Sequence, residues 1–425
     1  MYIKRRGSSG CFSHITPKSK IMIGVYWILI TSLITLILKP SVFSTVATKV
    51  KEELEIPCIR NTSLTTLESL VACYDPYTIP EQFFNQTTYD AAQPTEAESA
   101  AWLGLVNDLL WVDGNCTDVV VPPILNQVYG VSVFTSKTNT SEETGTNTSY
   151  CVLHERKAIT LQPDSPTFPF FPYSYIKGWG LFVVPSSKSP SVTRRSAVHL
   201  SAPHPQFDLK TPEQAAALFS GIGAKSLLVA GRSRESFMTP TSCVQPVSSG
   251  NSSDTTVYFV TDPAHNDKEP FVQASFRIAK WQKGQGGCPA SSCAFIQMHG
   301  KGASSCPQDT MFLSSGLGNS ASSVAWYTDA TDRPIKRLQK NVRDMFPSFT
   351  ASLPSDSNCS LTATTNVFGR YLNGIEESAV CDNASNATLA TGVFVHIEQA
   401  IASRNPDAYQ GWIQALSETF PVTSE

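Results

Sequence analysis

Several groups able to do chemistry stand just past apolar runs of the kind that build central strands. Residues 197–201 lead into Pro203-His204-Pro205-Gln206-Phe207-Asp208, residues 293–298 into His299-Gly300, and residues 392–397 into Glu398. Beyond the run 256–260 comes Thr261-Asp262-Pro263-Ala264-His265-Asn266-Asp267. In open α/β sheets, ligands gather in the crevice beyond the carboxyl ends of the strands. Three imidazoles, or two and a carboxylate, would hold zinc with one position left open for water. His204, His265 and His299 are therefore the candidate ligands, and zinc is the candidate cofactor. Asp208 reads as a further ligand or substrate contact, or only as part of the next helix start. A carboxylate such as Glu398, directly after an apolar strand, is costly to bury without a partner. It suits a general base acting on water. Each of the three histidines also reads as a loop residue bonded to a turn. His396 reads as a packed neighbour of Glu398, and His14, His154 and His199 as structural.

Two further segments offer cations. The run 226–230 is followed by Gly231-Arg232-Ser233-Arg234-Glu235, and Thr364-Thr365-Asn366-Val367-Phe368-Gly369-Arg370 sets an Asn and an Arg around a glycine. Such a pair suits a carboxylate held in bidentate fashion. Arg370 and Arg232 are thus candidates for an acidic group on the substrate, with Asn366 beside them; a plain salt bridge for Arg370 is the alternative. No G-x-S-x-G elbow, dinucleotide fingerprint or phosphate loop is present.

The elements that must position these groups alternate between strand and helix. Thr211-Pro212-Glu213-Gln214 predicts a helix with Thr211 as N-cap, Pro at N1 and Gln at N3, running to about residue 221. With the runs on either side it forms a β-α-β unit. Further helices are expected over 97–111, 268–282, 333–346 and from 405 to about 420. Residues 135–149 read as a polar surface loop, and 163–173 as an extended Pro-rich segment. The expected fold is α/β, a mostly parallel sheet flanked by helices.

Composition bounds the rest. Only 16% of the 425 residues are charged and the net charge is -3, which excludes the basic footprint of a nucleic-acid binder. Lys4, Arg5, Arg6, Lys18 and Lys20 precede eighteen uncharged residues, 21–38, bounded by Lys20 and Lys39. This run just spans a bilayer as a helix. A signal-anchor with a cytosolic tail (1–20) fits better than a cleaved signal peptide, whose apolar core is shorter. Residues 39–75 then read as a stem and 76–425 as the lumenal or extracellular domain of a secretory-pathway membrane protein. Sequons at Asn61, Asn85, Asn115, Asn139, Asn147, Asn251, Asn358, Asn383 and Asn386 all follow the apolar run. So do ten of the eleven cysteines, enough for up to five disulfides in an oxidising compartment.

From about Trp179 to Glu398, the segments PHPQFDLKTPE, SLLVAGRSRE, TDPAHND, FIQMHGK, TTNVFGRYLNG and FVHIEQA occur in that order. In this the chain resembles a poorly characterised group of secreted α/β proteins, itself distantly similar to zinc carboxypeptidases and N-formylglutamate amidohydrolases. The resemblance covers about half the chain. In zinc carboxypeptidases a His-x-x-Glu after one strand gives two ligands, a later strand ends in a third ligand His, and a late strand ends in the basic Glu. Carried over, His299 is the third ligand and Glu398 the base, with Asn366 and Arg370 facing a substrate carboxylate. Where His-x-x-Glu is expected, Arg232-Ser233-Arg234-Glu235 stands, and Arg is no zinc ligand. Either other residues hold the metal or the site has lost it.

Three readings follow. The first is a membrane-anchored lumenal metal-dependent hydrolase of amide or peptide-like bonds, acting on small peptides or acyl-amino acids. The second is a pseudoenzyme or binding and assembly protein on a degenerate hydrolase fold. The third is a glycosyltransferase, which shares the anchor-and-stem layout, although the chain has no Asp-x-Asp.

Overall fold

A computed structural model describes residues 53–137, 147–160, 172–244 and 257–422. In chain order the strands are β1 (Glu53–Glu55), β2 (Tyr129–Lys137), β3 (Asn147–Glu155), β4 (Lys157–Thr160), β5 (Tyr173–Tyr175) and β6 (Leu181–Pro185). They continue with β7 (Arg195–Ala202), β8 (Ala224–Val229), β9 (Ala294–Gly300), β10 (Met311–Ser314), β11 (Ala351–Ser352) and β12 (Phe394–Gln399). The α-helices are α1 (Leu67–Tyr74), α2 (Gln86–Ala92), α3 (Glu96–Trp111), α4 (Thr211–Ile222), α5 (Pro270–Gly284), α6 (Ala321–Thr328), α7 (Pro334–Met345), α8 (Val367–Leu372) and α9 (Tyr409–Thr419).

The main sheet has the order β11-β10-β12-β9-β7-β8-β6-β3-β2. Its centre, β12-β9-β7-β8, is parallel, built from the continuous apolar runs that sheets covered on both faces require. The flanks differ from expectation. β10 runs antiparallel to β12, and β6, β3 and β2 add as antiparallel neighbours, so the sheet is mixed. The loop expected over 135–149 begins and ends inside strands β2 and β3; its middle, with Asn139, lies outside the described residues. Cross-strand pairing overrides the polar composition of those strand ends.

Alternation with period two divides the sheet into two buried faces. Val198, Leu200, Ile296, Met298, Val395 and Ile397 pack in one core with α1, α4, α7 and α9. Phe295 and Phe394 pack in the other with α3, α5 and α8. His199, Gln297, His299, His396 and Glu398 alternate onto that second face. α4 ends at Gly223, whose φ of 64° is left-handed and where a Cβ would come within 2.8 Å of the Val192 carbonyl. The helix begins one residue earlier than expected: Lys210 is the N-cap, Thr211 the first helical residue, and Pro212 occupies the first turn.

Other expectations shift. Residues 257–260 contain only an isolated bridge, Phe259 to Pro240, instead of a strand. The last α-helix starts at Tyr409, after a single 3-10 turn over Pro406–Ala408. The end of the expected stem is part of the folded unit: β1 pairs with β4, and α1 packs on α4. The Pro-rich stretch lies outside the described residues up to 171, as does Asn251. Disulfides join Cys58 to Cys73, Cys116 to Cys151, Cys243 to Cys381, Cys288 to Cys293 and Cys306 to Cys359. Five such bonds suggest an oxidising compartment. The seven described sequon asparagines are exposed. The apolar run 21–38 lies outside the described residues, among which no helix is long and apolar enough to cross a membrane.

Candidate metal centre

Register brings the site together. Glu398 lies opposite His299 in the parallel pair β12-β9, and Ser201 lies opposite Gln297 in β7-β9. The loop after β7 therefore leaves the sheet at the level of His299. Asp208 returns toward His204 because its N–H donates to the His204 carbonyl, at 2.8 Å. On either side of it Gln206 (φ 63°) and Lys210 (φ 70°) adopt the left-handed conformation that side chains disfavour. Such residues cost about 1–3 kcal/mol each and persist where the surroundings impose them.

The result is a triangle. His204 Nδ1 is 3.2 Å from Asp208 Oδ2, His299 Nδ1 is 3.2 Å from the same oxygen, and the two nitrogens are 3.2 Å apart. Tetrahedral zinc with bonds of about 2.0–2.1 Å places its ligand atoms about 3.3 Å apart. All three residues are buried. His204 Nε2 lies 3.1 Å from Asp262 Oδ1 and donates to it, which turns the Nδ1 lone pair into the triangle. Three possible ligand atoms then converge on one point, where either a ring proton on His299 Nδ1 donated to Asp208 or a metal ion satisfies them.

Asp262 organises the layer behind. It pairs with Arg234, accepts the Ala264 N–H at 2.9 Å and lies 3.0 Å from His265 Nδ1. Burial opposes its charge, yet Arg234, His265 and His204 hold its carboxyl well below the usual range. Burial likewise opposes charge on Asp208, but His204 and His299 keep its carboxyl low. Burial and Arg234 work against a charged His204, but Asp208 and Asp262 leave its pKa raised. Burial pushes His299 down to about 4. Glu398 completes the site from β12; burial first, then the Asp208 charge, push its pKa up to about 8. Its carboxylate makes no hydrogen bond among the described residues, the nearest partner being His396 Nε2 at 3.6 Å. His299 Nε2 and His396 Nδ1 are also buried without partners.

The expected residues sort into two groups. His204, His299 and Asp208 converge, with Glu398 beside them. His265 stands behind Asp262, its Nε2 3.1 Å from Thr365 Oγ1 and its ring stacked on Tyr258 at 3.6 Å. It is not in the triangle, and Asp208 supplies the third corner. Arg232 is 1% exposed and donates to Glu269, to the Lys177 carbonyl and to the Ala92 carbonyl. Arg370 donates to the carbonyls of Thr364, Val380 and Cys381. Asn366 caps α8 by accepting the Gly369 N–H, and donates to Gln297. These three staple the structure and are spent on it. The cations near the carboxylates are instead Arg234 and Arg404, the latter packed into the notch at Gly300, where a Cβ would meet its NH1 at 1.9 Å. Sequence reasoning did not assign Arg234, Asp262 or Arg404 a role. The i,i+3 spacing of Asp262 and His265 was the available signal.

No protein-family model and no curated protein matches this chain. Among solved structures, it is similar to a metallo-carboxypeptidase from Burkholderia cenocepacia, with a TM-score of 0.26 and 10% identity over 77% of this chain and 68% of that one. It is also similar to a tomato leucine aminopeptidase mutant, with a TM-score of 0.23 and 9% identity over 83% of this chain and 71% of that one. Likeness at this level carries no argument about the chemistry, for which the donor triangle is the ground.

Proposed function

We propose that this protein is a metal-dependent hydrolase of amide or peptide-like bonds, and that the metal is zinc. The observation that carries the reading is the triangle of His204 Nδ1, His299 Nδ1 and Asp208 Oδ2, three possible ligand atoms 3.2 Å apart at the carboxyl ends of the central strands. A divalent ion there would supply Lewis acidity and favour deprotonation of water. The protein's own part is threefold. Asp262 fixes the His204 tautomer. Glu398, uncommitted to any hydrogen bond, takes the proton from water and delivers it to the departing amine. A cation at the triangle would lower the Glu398 pKa from its raised value and leave it basic at neutral pH. Arg234, partly exposed beside its pair Asp262, adds a positive charge near the site, which suits small peptides or acyl-amino acids bearing an acidic group. In this reading the run 21–38 anchors the chain in a secretory-pathway membrane, with the folded unit on the lumenal or extracellular side.

The test is the metal content of the purified chain, with His299→Ala as control. About one zinc per chain, absent from the variant, is expected. No metal in either, with the fold intact, would replace this reading by a binding or assembly role on a hydrolase-like fold.

A further inference from the structure

The outer hairpin carries a second arrangement of reactive groups. Gly130 pairs with His154 and Ser132 with Val152 across β2-β3, so Ser132 and His154 are diagonal neighbours on one face. Ser132 Oγ lies 2.9 Å from His154 Nε2, and His154 Nδ1 lies 3.1 Å from the Glu155 carbonyl. A carbonyl only accepts, so Nδ1 carries the ring proton and Nε2 must accept the serine hydroxyl. The anchor of that ring is itself held. The Glu155 carboxylate accepts the N–H groups of Lys177 at 2.8 Å and Gly178 at 2.9 Å, and the Tyr129 hydroxyl at 3.1 Å. His154 is 5% exposed, whereas Ser132 is only partly buried.

Both side chains line a cavity of about 360 Å³, within the range of small-molecule pockets. Ile56, Ile59, Val121 and Val131 make part of its wall apolar. Arg156 also lines it, lying against Gly130, where a Cβ would stand 3.0 Å from Arg156 Cδ. Nucleophile, base and cation thus line one space, Arg156 donating through one terminal nitrogen to the Asn126 carbonyl at 3.0 Å and the Glu55–Arg60 ion pair lining it too. Three strand steps separate β3 from β7, about 14 Å at the usual spacing, so this space is distinct from the metal centre.

We infer that Ser132 and His154 form a nucleophile–base pair, with Arg156 facing the developing negative charge, in an acyl-transfer site for carboxylic esters of small apolar acids. Ser132 Oγ attacks the ester carbonyl carbon as its proton passes to His154 Nε2, and Arg156 offsets the charge on the carbonyl oxygen. Collapse breaks the bond to the alcohol oxygen, which leaves with the proton from Nε2. Water then gives a proton to Nε2 and attacks the acyl carbon, and Ser132 Oγ departs, recovering that proton. The sum is ester plus water to acid plus alcohol, with no redox partner.

The experiment treats the full chain with an alkyl fluorophosphonate and maps the adduct by peptide mass spectrometry. A single adduct on Ser132 is expected, formed at the same rate with chelator present and about 10²-fold more slowly in His154→Gln. An unlabelled Ser132 in the wild-type map overturns the proposal, whether or not the variant folds. So does labelling at an unchanged rate in a folded His154→Gln.

Discussion

His199 and His204 are five residues apart on one strand and the loop it feeds, and both are buried. Their surroundings differ in one respect. His199 has Nδ1 at 2.8 Å from Ser226 Oγ and Nε2 at 3.1 Å from Gln282 Oε1, with its ring stacked on Phe295. Every valence is used. Around His204 bonding capacity is left over: Glu398 has no hydrogen bond among the described residues, and His299 Nε2 and His396 Nδ1 are buried without partners. Arg232 and Arg234, two residues apart, differ in place. Both are paired, Arg232 with Glu269 and backbone carbonyls and Arg234 with Asp262 behind the cluster, but only Arg234 stands beside the triangle. Residue type and burial alone do not separate the two histidines; the clustering of unspent bonding capacity around His204 and Glu398 does.

The sharpest way to break this contrast is at Glu398. Glu398→Gln keeps shape and removes the base, so kcat should fall by about 10²–10⁴ while metal content stays the same. Equal loss of both would make Glu398 structural. On the other side of the comparison, Arg232→Met leaves Glu269 buried and unpaired. About 3–5 kcal/mol of stability should be lost, with metal affinity unchanged in whatever protein remains folded. A lowered metal affinity would move Arg232 into the site after all.

The filled layer also makes a pH prediction. Burial pushes the folded pKa of His199 down to about 3, below the ordinary 6.5. A depressed histidine binds more protons when unfolded, so its contribution to stability is present above pH 6.5 and is lost as pH falls toward 3. The slope is about 1.4 kcal/mol per pH unit for one proton. His199→Gln should flatten acid unfolding between pH 6 and 4 by about that slope. An unchanged slope would mean that the ring protonates in place.

The central sheet was legible because its strands are continuous apolar runs: 197–201, 226–230, 293–298 and 392–397 all became strands within two residues. The flanking strands were not, because β2 and β3 are held by pairing and a disulfide at Cys151 more than by composition. At the site, strand ends pointed to His204, His299 and Glu398. They could not tell Arg232 from Arg234, since that depends on a backbone path set elsewhere. Gly231 packs so closely on Gly178 that a Cβ would lie 2.7 Å from its carbonyl, and this turns Arg232 under the loop. Nor could they say that His265 would be held by Asp262 and Thr365 while Asp208, four residues past His204, took the third corner. Both outcomes are side-chain geometry within loops, where apolar periodicity has nothing to report.

The smallest expected effect tests whether Asp262 belongs with the site or with the staples, since it has features of both. Its four contacts are filled, as in the His199 layer, yet one of them fixes the tautomer of a donor. Asp262→Asn keeps an acceptor for His204 Nε2 but removes the charge that favours it. Loss of such an orienting carboxylate commonly lowers metal affinity by about 10–100-fold. Chelator competition should show that drop, and saturating metal should restore most of kcat because Glu398 and the triangle remain. A purely structural Asp262 would instead lower the melting temperature and leave the affinity of the folded fraction untouched. Only the first result puts Asp262 on the side of unspent capacity, as the group that keeps the His204 lone pair free for a cation.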